Sequence, residues 1–443
     1  MSNIYPIVTI GEVCSVGDGA HSKVKRQIAG IKYLTSKNIG FGHLKLDKFD
    51  YISLKDYEHL FSTNSRVVRR PCPGDVLIGI IGTFGNAYRY KSSDKFGVSS
   101  SIAILRPNQS ILEPDFLYYV VTSNFFKVAH KAYKSGSVQA YTNIPTIKCL
   151  PIPLPPLPEQ KAIASILSSL DDKIELNQQM NQTLEAIARA IFKSWFVDFD
   201  PVRAKMAGNQ PVGMDAATAN LFPDSFEESA LGLIPKGWRV GTLSESCQSI
   251  YSGGTPSTKN LEYWNGKIPW LSSGETKSKF IDITDKKITS LGVEKSSTRL
   301  AKSGSIVIAS AGQGNTRGQT SFLVIDSYIN QSVIALRANP DIISELYLFF
   351  NLSRRYEEFR QISDSHSSRG SLTTKLLAPL DVLTPSTKLV SVFDYIVQPI
   401  INKICHNLSE SRTLANIRDT LLPKLMSGEI RVKEAETIIK EVN

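Results

Sequence analysis

Between Pro151 and Arg203 the chain carries a pattern that leaves little conformational freedom. Ile163, Leu167, Leu170, Ile174, Asn177, Asn181, Leu184, Ala188, Ile191 and Trp195 follow one another at alternating spacings of four and three. That spacing lays them along one stripe of an α-helix, as the seam of a coiled coil. A helix from Glu159 to about Trp195 spans ~55 Å at ~1.5 Å per residue. The proline-rich run from Pro151 to Pro158 cannot be helix interior, because proline has no N–H to donate and clashes with the preceding turn. Two asparagines, Asn177 and Asn181, sit at mid-seam, and Asn177, together with Asn407 at a seam position later in the chain, is expected to fix the register of a helix pair at some cost in stability. The alternative for such asparagines is a wet helix end or a partner-facing surface. The helix lies just before the midpoint of 443 residues and divides the chain into halves.

The halves repeat. Thr9-Ile-Gly-Glu12-Val-Cys14 returns as Thr242-Leu-Ser-Glu245-Ser-Cys247. Ile31-Lys-Tyr-Leu-Thr-Ser36 answers to Ile268-Pro-Trp-Leu-Ser-Ser273, and Gly74-Asp-Val-Leu-Ile78 to Gly304-Ser-Ile-Val-Ile308. Ser101-Ile-Ala-Ile-Leu-Arg106 answers to Ser332-Val-Ile-Ala-Leu-Arg337. Shifting the seam by 230 lands on Phe393, Val397, Ile400, Ile404, Asn407, Ser411, Leu414, Arg418, Leu421 and Leu425. The unit is therefore a block of ~150 residues followed by a long helix, used twice. Pro399 has no counterpart in the first helix and predicts a kink or a late helix start. Within each block, short Val/Ile/Tyr-rich runs alternate with Gly/Ser/Asn turns, which reads as mainly β. Pro114–Lys134 and Asp341–Ile362 read as helical runs whose aromatic stripes pack in the core. Asp198–Trp238, rich in Pro, Gly, Ala and Asn, reads as a connector.

Charge follows the repeat. Residues 1–150 hold 19 basic against 10 acidic side chains, and residues 231–380 hold 18 against 12. The first helical segment is net −3, the connector net −2 and the C-terminal segment neutral. Two basic blocks on a neutral or acidic frame fit two polyanion-binding modules. A generically basic protein is the plainer alternative. No apolar run approaches the ~18 residues of a membrane span. The five cysteines form no C-x-x-C pair, so disulfides and a zinc site are not expected, and a cytoplasmic location fits. The N-terminus has no secretory pattern.

Catalytic signatures do not emerge. There is no phosphate loop of the G-x-x-x-x-G-K-[ST] kind and no Asn/Asp-Pro-Pro-aromatic segment of amino-methylating enzymes. The six histidines form no H-x-x-x-H pair. Gly79-x-x-Gly82-x-x-Gly85 is a lone glycine spacing, with no acidic residue after a following strand to complete a cofactor site. Glu275-Thr-Lys277 mimics half of a nuclease motif, with only Glu262 upstream as a partner acid. No catalytic residue, metal or cofactor is expected.

The loops instead carry chemistry suited to DNA. The first block offers His21, Lys23, Lys25, Arg26, Thr83, Asn86, Tyr88, Arg89, Lys134, Gln139 and Tyr141. The second offers Thr255, Ser257, Lys259, Gln313, Asn315, Arg317, His366 and Arg369. Lys and Arg pair with phosphates, while Asn or Gln can grip adenine and Arg guanine. For any one of them the alternative is an ordinary polar turn. The seam residues expected to pair the helices are Ile163, Leu167, Leu170, Ile174, Asn177, Leu184, Ile191, Val397, Ile404, Asn407, Leu414 and Leu421.

Leu157-Pro-Glu-Gln-Lys-Ala-Ile-Ala164, Ser194-Trp-Phe-Val-Asp-Phe-Asp-Pro-Val-Arg203 and Leu421-Leu-Pro-Lys-Leu-Met-Ser-Gly-Glu-Ile430 resemble conserved regions of type I restriction–modification specificity subunits. Gly253-Gly-Thr-Pro-Ser257 with Trp264-Asn-Gly-Lys-Ile-Pro-Trp270 resembles the opening of their target-recognition domains. The first block departs there, with Gly17-Asp-Gly-Ala-His21. The resemblance implies an α+β fold with two pseudo-repeated, mainly-β target-recognition domains joined by two long antiparallel coiled-coil helices. On that reading the domains are residues 1–155 and 236–384, the spacer helices 156–200 and 385–430, the connector 201–235, and the C-terminal tail 431–443. It further implies a non-catalytic subunit that binds double-stranded DNA at a bipartite asymmetric site. Its implied partners are two methyltransferase subunits and, through them, restriction–motor subunits. A stand-alone DNA-binding or anti-restriction module and a nuclease with unrecognised active residues are the other readings the sequence leaves open.

Overall fold

The computed structural model describes residues 4–22, 24–62, 67–82, 84–134, 142–312, 314–366 and 370–442. It divides into two compact units, Met1–Glu175 with Ser411–Asn443, and Leu176–Glu410.

In the first unit an antiparallel sheet runs in the order Cys14–Asp18, Ile102–Pro107, Val76–Gly79, Ala87–Arg89. A second sheet places Ile31–Leu34 between Asp50–Ile52, antiparallel, and Phe96–Val98, parallel. The Val76–Gly79 strand is buried throughout, which explains its unbroken apolar run. Ile7–Thr9 pairs with Pro151–Pro153, so the first strand of the block is closed by the last. The proline-rich run thus enters a strand before the helix, and its prolines occupy a two-stranded edge.

In the second unit the same scheme returns, enlarged. Five strands run in the order Cys247–Ser252, Val333–Ala338, Ile306–Ala309, Thr320–Leu323, Phe280–Ile281, and four in the order Lys286–Ile288, Trp264–Leu271, Ser327–Ile329, Arg299–Ala301. Arg239–Thr242 pairs with Asp381–Thr384, the counterpart of the closing pair in the first unit. The connector is not bare coil. It holds the helices Asp200–Met206 and Ala216–Asn220 and a hairpin of Phe226–Ser229 with Gly232–Pro235.

Each run expected as one helix is two. Pro114–Thr122 stops at Ser123, and Asn124–Lys134 begins at once. The Ser123 hydroxyl accepts the Phe126 N–H at 3.2 Å, the bond that opens a new helix. Glu345–Ser353 and Tyr356–His366 are separated by Arg354 and Arg355. Of the aromatic stripes, Phe116, Tyr119 and Phe126 lie in the core of the first unit and Leu346, Phe349 and Phe350 in that of the second, while Tyr356, expected with them, is only partly buried and its hydroxyl reaches the Asn315 carbonyl.

The two long helices are Leu157–Phe196 and Thr387–Ser427. The second runs unbroken through Pro399, so the expected late start is replaced by a start twelve residues earlier, at Thr387. Pro399 faces outward beside the exposed Tyr395, whose carbonyl loses its helical donor and can turn to solvent. The helices pair antiparallel. Arg418 donates to Asp171 at 2.6 Å, Asn177 to Glu410 at 2.9 Å and Asn407 to Asn181 at 2.8 Å, so the numbers fall along one helix as they rise along the other. Ile163, Leu167, Leu170, Asn177, Val397, Ile404, Asn407, Leu414 and Leu421 are buried, while Ile174, Leu184 and Ile191 are partly buried. No helix among the described residues is long and apolar enough to cross a membrane.

Candidate nucleic-acid interface

Two loop constructions recur at equivalent places in the units. The first follows the opening strand of each larger sheet. In the first unit, Ala20 N–H donates to Val98 O at 2.9 Å. In the second, Gly254 N–H donates to Ile329 O at 3.1 Å. The residue before each is glycine because a Cβ on Gly19 or Gly253 would lie 2.0 or 1.9 Å from those same carbonyl oxygens. The different spellings Gly-Ala-His-Ser and Gly-Gly-Thr-Pro therefore describe one turn, which aligns His21 with Thr255. His21 is exposed, with Nε2 2.8 Å from the Asp18 carboxylate. The Thr255 hydroxyl bonds to Gln331. Lys25, Ser257 and Lys259 are exposed beyond these turns. Arg26 pairs with Asp50 and lies over the Tyr33 ring.

The second construction joins the loop after the central strand to the segment behind the second short helix. Thr142 N–H donates to Ile80 O at 3.1 Å, and Leu372 N–H to Ser310 O at 2.8 Å, the same bond displaced by 230 positions. In the first unit Phe84 stacks on His130 with centroids 3.5 Å apart, and His130 Nε2 meets the Thr142 hydroxyl at 2.5 Å. In the second unit Arg360 and Tyr356, one turn apart on a helix, donate to Gly314 O and Asn315 O at 2.6 and 3.0 Å. These bonds hold the loop backbone and leave the Asn315 side chain exposed. Of the helix residues that brace this loop, the sequence marks Tyr356 only as part of a core-packing stripe and does not mark Arg360. Their signal was the spacing of four between Tyr356 and Arg360.

The predicted residues take distinct places in this frame. Tyr88 is 6% exposed and its hydroxyl donates to Asp94 at 2.9 Å, so its ring belongs to the core; burial pushes its phenol pKa up. Asn86 is half-buried and donates to Ile39 O at 3.3 Å. Arg89 is half-exposed and pairs with Asp115. Arg317 is largely buried, donating to Gly370 O and pairing with Asp364, so it clasps the two loops of its unit together. Lys23, Thr83, Gln139, Tyr141, Gln313 and Arg369, and the side chains of Lys134 and His366, lie outside the described residues.

In the second unit a further basic surface adjoins the Gly253 turn. A cavity of about 530 Å³ is lined by Thr258, Trp264, Asn265, Lys286 and Lys287 among others. Trp264 Nε1–H donates to Ser257 O at 3.1 Å, and Lys286 lies 5.7 Å over the indole. Lysines for phosphates beside exposed hydrogen-bonding loops form a surface able to track a nucleic-acid backbone. Among the described residues no group of three or more His, Cys, Asp or Glu side chains is placed to hold a metal ion.

Comparison with known proteins agrees with the repeat. The family described as "Type I restriction modification DNA specificity domain" matches twice, over residues 2–186 and 235–416. The HindI specificity subunit of Haemophilus influenzae is 28% identical, the alignment covering 88% of this chain and 94% of that protein. The MjaIX specificity subunit of Methanocaldococcus jannaschii is 27% identical over 98% of this chain and 94% of that protein. The crystal structure of a type I restriction-modification S subunit from M. genitalium shares the fold, with a TM-score of 0.56 at 17% identity, covering 96% of both chains. Two matched domains, each ending in a long helix whose seam pairs with the other, place the chain in the type I restriction–modification DNA specificity family.

Proposed function

We propose that this chain is the non-catalytic specificity subunit of a type I restriction–modification enzyme, and that it reads a bipartite, asymmetric DNA site. Residues 1–155 and 236–384 each read one half-site. The helices within 156–200 and 385–430 act as spacer and as the docking surface for two methyltransferase subunits, through which restriction–motor subunits join. Residues 201–235 connect the halves, and residues 431–443 follow the second spacer helix. The observation that carries this reading is the double use of one loop frame. The bond from Thr142 to Ile80 and its counterpart from Leu372 to Ser310 brace equivalent loops in two basic blocks whose sequences differ. A common frame with different side chains is what reading two different half-sites requires.

Within each half, phosphate contacts from Lys25 or from Lys259 and Lys286 set register, and the exposed His21, Ser257 and Asn315 face the base edges. Arg317, tied to Asp364, supports its loop and opens toward a base only if that pair yields. The test is co-expression with the methyltransferase subunit, followed by mapping of methylated adenines in the host genome. The reading predicts one interrupted motif with two dissimilar halves. A continuous motif, or methylation independent of this chain, contradicts it.

A further inference from the structure

The smaller sheet of each unit bulges at the same place in the repeat. In the first unit Gln27 bridges to Tyr51 and Ile31 pairs with the next residue, Ile52, so Ile28, Ala29 and Gly30 are looped out. In the second unit Trp264 and Ile268 both pair with Ile288, so Asn265, Gly266 and Lys267 are looped out. Gln27 and Trp264, Ile28 and Asn265, and Ile31 and Ile268 are repeat equivalents at one offset of 237. Both bulges press a glycine against the partner isoleucine. A Cβ on Gly30 would lie 2.3 Å from Ile52 O, and one on Gly266 2.4 Å from Ile288 O. A bulge re-aims the side chains it carries, and here the two units present different ones. Ile28 is 97% exposed and buries almost nothing in its own unit. Asn265 is exposed, with a left-handed backbone at φ 60°. Among the described residues its amide has no hydrogen-bond partner. Glycine adopts that backbone at no steric cost, so the turn alone does not call for an amide.

We propose that the bulge is a base-reading element in both units: Asn265 hydrogen-bonds to an adenine edge in one half-site, and Ile28 packs on a thymine methyl in the other. This rests on each block reading one half-site, and adds to it two specificity-determining residues outside the two loop constructions described above. The chemistry of the two side chains assigns the bases. An amide matches the N6 donor and N7 acceptor of adenine, and the thymine methyl is an apolar group open in the major groove. The surroundings suit a nucleic-acid strand. Asn265 shares its cavity with Lys286, Lys287 and Asp285, two cations against one anion, and with the exposed Leu261. Trp264, the residue before it, is tied to Ser257 O of the neighbouring turn. In the first unit the exposed Lys25 and Arg26 stand just ahead of the bulge. Cations beside each bulge hold phosphates while the side chain at its tip meets a base.

The test maps methylated adenines in cells that supply the methyltransferase subunit with the wild-type chain, Asn265→Gly or Ile28→Ser. Glycine keeps the left-handed turn, and Ile28 is too exposed to support the fold; melting curves of both variants verify this. The readout, at each position of the motif, is the ratio of methylation at sites with the specified base to methylation at sites with another. Asn265→Gly is expected to lower that ratio about tenfold at one position of one half-site. Ile28→Ser is expected to lower it about fourfold at one position of the other half-site. Ratios unchanged at every position overturn the role given to that residue, as does uniformly reduced methylation of an unchanged motif. Changes from both variants within the same half-site overturn the proposal too. An interrupted motif from the wild-type chain beside unchanged variants refutes the bulge alone, whereas a wild-type chain that yields no such motif refutes the half-site reading beneath it as well.

Discussion

Asn177 and Asn407 sit fully buried at the seam of the helix pair and spend their amide N–H groups across it, on Glu410 and Asn181. Buried amides in an apolar seam fit one register and penalise its neighbours. Replacing both by leucine is expected to raise the unfolding free energy by about 1 kcal/mol, because apolar area replaces groups that need partners. The urea midpoint measures this, and a lowered midpoint would mean that the amides stabilise the pair outright. Asp394 makes a pH prediction. Burial pushes its carboxyl up to about 6, while the hydrogen bond from Ser344 pulls the other way. A carboxyl raised in the folded state binds more protons there than in the unfolded chain, so its contribution to stability falls as pH rises from about 4 through about 6. Asp394→Asn keeps an oxygen for Ser344 and removes the charge. It is expected to raise the melting temperature by roughly 2 °C at pH 7.5 and to leave it nearly unchanged at pH 4. Equal shifts at both pH values would contradict the assignment. At this scale the sequence was only partly legible. Residue type marked Tyr88 and Arg317 as DNA-facing, but strand direction turns Tyr88 inward toward Asp94, and Asp364, 47 positions away, captures Arg317. Neither partner is visible in local spacing.

Elements were far more legible, because periodicity reports them directly. The alternation of four and three located the first long helix to within two residues at each end, Leu157–Phe196 against Glu159 to Trp195. It also found the second helix through the 230-residue offset. The pattern did not resolve the Ser123 break, since apolar periodicity continues across it while a single hydroxyl restarts the helix. Pro399 was misleading for a related reason. A proline costs a helix one hydrogen bond, and on an exposed face of a 41-residue helix packed along its other side that loss is tolerated. If the helices set the distance between half-sites, inserting one heptad into each lengthens them by ~10 Å. The unread gap in the methylated motif should then grow by about 3 base pairs at ~3.4 Å per step. An unchanged gap, with methylation retained, would remove the spacer role from the account.

For the whole molecule, the two-fold use of one block was readable from matched segments and from charge. What each block reads was not, because base recognition depends on side chains presented by loops whose frame is common to both halves. That separation of frame from side chain makes modularity the central claim. It is tested most directly by replacing residues 1–155 with the corresponding block of another family member and mapping methylated adenines in cells that supply the methyltransferase. The account predicts that one half-site changes while the other half-site and the gap stay as they were. A motif altered in both halves, or in neither, would contradict it.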